Sequence, residues 1–143
     1  MRIKTKFFGE IEANEESIFV FESGIPGFAD LHKYVIMSEE GSLFNYMQSI
    51  DNEDVCFVMV NPFYIMEDYD IELCESTVSK LEIEKPEDIA IYSILTIYDG
   101  AKKITANLKA PLVINTINKK GIQEVVDDDR YSTRHILVKE TDK

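Results

Sequence analysis

The chain has 143 residues, 27 of them acidic and 15 basic, for a net charge of −12 with neutral histidines. An apolar content of 45% excludes disorder, and the length suits one domain, 1–143, with a real core. Direct nucleic-acid binding is disfavoured because phosphates need clustered Lys and Arg; a basic protein partner is favoured, unless the acidity serves solubility alone.

The N-terminus alternates Ile3, Thr5 and Phe7 against Arg2, Lys4 and Lys6, which predicts a strand over Ile3 to Phe8 with one wet face. It lacks the apolar core of a signal segment, and no later run approaches membrane-spanning length. A soluble, cytoplasmic protein without a membrane partner is expected. Gly9 punctuates the first strand and Ile11 begins its partner. Ile18 to Phe21 is a compact β-type run, stopped by Ser23-Gly24-Ile25-Pro26-Gly27, whose glycines and proline predict a tight loop. A single helical turn is expected from Phe28 to Lys33. Strands follow at Tyr34 to Met37 and Leu43 to Ile50, with Gly41 turning between them.

Asp51 to Asp54 is a polar turn, and Val55 to Val60 is a continuous apolar run suited to a buried strand that Asn61-Pro62 ends. From Phe63 to Asp99 there are ten carboxylates against Lys80 and Lys85. Within it Ile71 and Leu73 face one way, opposite Glu72. Ser76 is placed to cap a short helix through Leu81, with Val78 and Leu81 on one side, and Pro86 closes it. Ile89 to Tyr98 is the longest β-type run, and Asp99-Gly100 predicts a hairpin to Ile104–Leu108.

Ile104 to Asn115 organises the remainder. Its apolar alternation is broken at Pro111, which cannot donate to a sheet ladder, so two short strands joined at a bend are expected. Asn107 and Asn115 then stand near the strand ends, where an amide satisfies free backbone groups and tolerates left-handed conformation. Gly121 is expected to separate Ile114–Ile117 from Ile122–Val126, Asp127 to Asp129 to turn, and Tyr131 to Val138 to alternate into a polar tail. Many short strands at regular spacing point to an all-β antiparallel barrel or sandwich with one or two short helices.

Catalytic signals are absent. His32 and His135 lack metal-ligand intervals, and Cys56 and Cys74 have no Cys-x-x-Cys spacing, so buried free thiols are expected and no cofactor. There is no Gly-x-Ser-x-Gly elbow, and the paired carboxylates read as solvated faces. The aromatics Phe7, Phe8, Tyr64, Tyr69, Tyr92 and Tyr98 are interleaved with carboxylates, which suits core and partner contacts better than stacked bases.

Five segments in order, Gly24–Phe28, Met47–Ser49, Asn61-Pro62, Ala106–Asn115 and Arg130–Arg134, resemble the FliW family of bacterial flagellar assembly factors. The Ala-Asn-Leu-Lys-Ala-Pro-Leu stretch is the most specific of them. The resemblance implies a β-barrel-like, non-enzymatic regulator that binds cytoplasmic flagellin. When free, such a protein binds the translational repressor CsrA and antagonises it allosterically, relieving repression of flagellin translation. The alternatives are a general acidic binding module or chaperone for another basic partner, and an enzyme with a carboxylate-lined cleft, which would need two carboxyls of raised pKa in one apolar pocket.

At the family positions Gly24, Pro26, Gly27, Gln48, Asn61, Pro62, Asn107, Pro111 and Asn115 a structural role is expected. Phe28, an aromatic beside a rigid loop, is a candidate partner anchor, and Lys109 a charge exposed at the bend. The electrostatic candidates come from this sequence: Glu67, Asp68, Asp70, Glu72 and Glu75 in the acidic stretch, and Asp127, Asp128 and Asp129.

Overall fold

A computed structural model describes residues 1–139. Its strands are β1 (Arg2–Lys4), β2 (Glu10–Glu12), β3 (Ile18–Val20), β4 (Lys33–Ser38), β5 (Phe44–Ser49) and β6 (Cys56–Val60). They continue as β7 (Ile89–Tyr98), β8 (Lys103–Ala106), β9 (Leu112–Asn115), β10 (Lys120–Gln123) and β11 (His135–Lys139). One short helix, α1 (Glu75–Lys80), lies between β6 and β7, and the other helical pieces are single 3-10 turns.

β3 to β7 pair antiparallel in sequence, β7 also pairs with β9, β9 with β10, and β10 runs parallel to β3, which closes a seven-strand barrel. Closure leaves the barrel with no free edge strand. β7 is long because it serves two sheets. Its first half pairs with β9 (Ala90 opposite Ile114) and its second half with β8 (Leu95 opposite Ala106). β8 and β9 therefore lie end to end along one edge of β7, parted at the Pro111 bend that the sequence predicts. Beyond the bend β9 goes on to close the barrel, while β8 leaves it to pair with β11.

Two cores follow from this split. Phe21, Tyr34, Met47, Met59, Leu112 and Ile114 fill the barrel. Val60, Leu95, Ile104, Ala106 and Leu108 form a second core, covered by Tyr69, Val126 and Tyr131 from the connecting segments. β7 sends Ala90, Tyr92 and Ile94 into the first and Ile91 and Leu95 into the second, which is why its sequence is apolar on both faces.

The family positions make contacts within the fold. Gln48 is fully buried; its Oε1 accepts from Lys6 N at 2.9 Å, and its Nε2 donates to the carbonyls of Ser49, Asn52, Glu53 and Val55. It thereby ties the β1–β2 hairpin to the barrel and shapes the β5–β6 turn. Asn61 Oδ1 accepts from Phe63 N at the start of the 3-10 turn Pro62–Tyr64. Asn107 Oδ1 accepts from Ala110 N across the bend, and Asn115 Nδ2 donates to Leu81 O at 2.8 Å while its Oδ1 accepts from Ile117 N. Both asparagines satisfy backbone as expected, but neither uses the left-handed region, which among non-glycine residues is taken by Glu82, Ala101 and Lys119. Gly24 has φ +70, and a Cβ there would lie 2.7 Å from Ala29 backbone. Gly27 has φ +87 in open space. Pro26 sits between them in the turn, and Pro111 is buried.

Several sequence expectations are corrected. The first strand stops at Lys4, because the Thr5 amide and hydroxyl both turn back to Gly9 O. Phe28 to Lys33 is not helical; Phe28 bridges to Ile25 and Leu31 N bonds Phe28 O, giving successive turns into β4. α1 is capped at Cys74, one residue before the helix, so Ser76 lies inside it. Its buried face is Thr77 and Leu81, four apart, while Val78 is exposed. Gly121 does not separate two strands but sits inside β10, the turn lying at 116–119. It is glycine because the Phe21 ring would lie 2.6 Å from a Cβ.

Candidate functional site

The acidic stretch after Pro62–Tyr64 is pinned by its apolar members. Tyr69 is buried and Ile65, Met66 and Ile71 pack on the second core, which leaves Glu67, Asp68, Asp70 and Glu72 exposed. Tyr69 Oη donates to Leu108 O at 2.7 Å, and its ring lies 4.6 Å from that of Tyr131. Burial pushes the Tyr69 phenol well above the ordinary tyrosine range. Tyr131 Oη in turn accepts from Asp70 N and donates to Asp70 O. Glu124, itself buried, reaches the start of α1 and accepts from Cys74 N at 3.3 Å, satisfying from a distant segment one of the free amides at that helix end.

These tethers bring two carboxylate groups, fifty residues apart in sequence, to one place. Glu72 and Glu75 line a cleft of about 440 Å³ together with Asp127 and Asp128, and Leu73, Cys74 and Val126 complete its lining. Asp128 is partly committed already. Its carboxylate accepts from Arg130 N and Nε and lies 2.7 Å from Arg130 Nη2. Those hydrogen bonds, with Lys109 nearby as a lesser cause, hold its pKa at about 2. Glu72, Glu75 and the exposed Asp127 and Asp129 make no ion pair among the described residues.

Of the other candidates, Lys109 is half-buried rather than exposed, because its carbonyl accepts from Val126 N and draws the bend under the 124–131 segment. Phe28 stands apart from the acidic cleft, 38% exposed and packed edge-to-face on Phe57 at 5.2 Å beside the barrel-filling core. Cys74 is exposed, against the expectation of a buried thiol, whereas Cys56 is half-buried and its thiol is pushed up to about 11 by burial. His32 turns its Nδ1 to Phe21 O at 2.9 Å, and no group of three metal-ligating side chains occurs among the described residues. Sequence reasoning missed Glu124, Tyr131 and Arg130, each of which positions the cleft. The only hint was that Arg130-Tyr131 falls within a family-like segment.

The model of the FliW protein family matches residues 2–137. The chain belongs to the FliW family. Flagellar assembly factor FliW of Caldicellulosiruptor bescii is 44% identical over 94% of this chain and 89% of its own length. The FliW of Alkaliphilus metalliredigens is 42% identical over 100% of this chain and 90% of its own. A crystal structure of the flagellar assembly factor FliW superposes with a TM-score of 0.89 at 37% identity, covering 95% of this chain and 96% of that one. The barrel is thus a fold this chain has in common with a FliW protein.

Proposed function

We propose that this chain is a flagellar assembly factor that works by binding and not by catalysis. It holds flagellin in the cytoplasm; when flagellin is depleted, the free protein binds CsrA and antagonises it allosterically, so that repression of flagellin mRNA translation is relieved. The observation that carries this reading is the family match along 2–137, joined to an independent property of the chain: a net −12 body in which Glu72, Glu75, Asp127 and Asp128 line one cleft. An RNA-binding regulator is expected to be basic, and opposite potentials speed and orient encounter. The same carboxylates, held beside CsrA, would repel the transcript's phosphates, while direct nucleic-acid binding by this chain is disfavoured.

Isothermal titration against CsrA, repeated with flagellin already bound, tests the reading. Heat of binding that disappears in the presence of flagellin supports the switch. Simultaneous binding of both breaks the mutual exclusion, and indifference to both favours a general acidic module or chaperone. The repulsion step is abandoned if neutralising the carboxylates from Glu67 to Glu75 leaves CsrA affinity and its salt dependence unchanged.

A further inference from the structure

Beside the acidic cleft lies an apolar trough of about 460 Å³, lined by Phe63, Ile71, Pro86, Ile89 and Ile91 among others. Leu73 lines both hollows. The alternation of one short stretch produces this: Ile71 and Leu73 line the trough, while Glu72 between them lines the cleft. Phe63, which lines the trough, is 44% exposed and leaves aromatic surface uncovered there. Glu87 and Asp88 precede Ile89 in sequence, and neither forms an ion pair among the described residues. Apolar wall and carboxylate rim are thus one continuous surface with a fixed order.

We infer that trough and cleft together form a docking groove for an amphipathic segment of a basic protein. Its apolar side chains seat between Phe63 and Ile91, and its Lys or Arg side chains lie against Glu72, Glu75 and Asp127. The inference rests on the binding function above and assigns this face to the partner that is basic. Charge complementarity selects the occupant. An acidic segment would meet like charge along the whole cleft, and a nucleic acid would be repelled. A second apolar hollow, lined by Phe7, Phe8, Phe44, Tyr46, Val58 and Ile97, carries a single carboxylate, Glu39, in its wall and has Lys6 over the Phe7 ring. It lacks the rim that would select a basic segment.

The test uses the full chain with CsrA as the basic probe. Hydrogen exchange is followed at amides 63–65, 71–75 and 126–129, and affinities are measured for Phe63→Ser, for the Glu72→Lys/Asp127→Lys double variant, and for Phe7→Ser in the second hollow. The groove predicts added protection in those three stretches, a loss of about tenfold or more for the first two variants, and no loss for the third. The double variant also flattens the salt dependence. Its two positions are exposed, so it remains informative if Phe63→Ser fails to fold. Wild-type affinity in the double variant, or protection and loss confined to the Phe7 hollow, overturns the groove and leaves the binding function standing. Wild-type protein that binds neither CsrA nor flagellin overturns both.

Discussion

Tyr131 holds Asp70 by both of its backbone groups: the phenol oxygen accepts from Asp70 N at 2.8 Å and donates to Asp70 O at 2.9 Å, across 61 positions of sequence. That clasp fixes the acidic stretch against the segment carrying Asp127 and Asp128. Tyr131→Phe keeps the ring that packs on Tyr69 and removes only the oxygen, leaving an N–H and a carbonyl without their partner. A destabilisation of about 2 kcal/mol is expected, read by denaturant unfolding. Faster amide exchange at Asp70 should accompany it, whereas unchanged exchange there would show the clasp to be dispensable.

Gln48 offers a test with a sign. Its Nε2 faces four carbonyls, so Gln48→Glu sets a carboxylate among acceptors and loses every donor. Only the protonated acid can donate there, so the folded pKa of the new group lies above its unfolded value. Stability of the variant is therefore best below about pH 4 and falls as pH rises through the folded pKa. Relative to wild type, thermal unfolding of the variant should be closer at pH 4 than at pH 7. A pH-independent difference would contradict this geometry.

Gly121→Ala drives a methyl group into Phe21, a ring that is fully buried. Overpacking of this kind costs about 1–3 kcal/mol. Gly27→Ala meets open space and bears only the positive-φ penalty of about 1–2 kcal/mol. The former should also disturb the near-ultraviolet signal of the barrel core and the latter should not, which separates clash from backbone strain in one spectrum.

Asp128 should titrate near pH 2 in a carboxyl-detected NMR titration, and Arg130→Gln should bring it back toward about 3.9. Its folded pKa is depressed, so whatever stability the pair adds is present above about pH 4 and lost as pH falls toward 2. Arg130 is exposed and Asp128 remains open to solvent on one side, so the pair's effect on the unfolding midpoint should be small. The chemical shift, not the melt, is the informative readout.

What could be read from sequence was what local chemistry specifies. The strands announced themselves by alternation and turn residues, and Pro111 marked the split between β8 and β9 because a residue without an N–H breaks any ladder. α1 was placed correctly but capped at the wrong residue. Ser76 has the better capping side chain, yet the helix starts directly after Cys74, whose amide is met by Glu124 from fifty residues away. Gly121 reads locally as punctuation, but its cause is the Phe21 ring across the β3–β10 seam, a contact no local window contains.

The same division holds for function. By itself the sequence determined an acidic, catalytically unmarked β protein of the FliW kind, because charge count, periodicity and an ordered motif set are properties of the chain read along its length. Only the tertiary structure decided which carboxylates stand together, which are already spent on Arg130, and which apolar hollow adjoins them. Barrel closure and the tyrosine tethers fold distant segments onto one face, and proximity across that fold is not encoded at any single position.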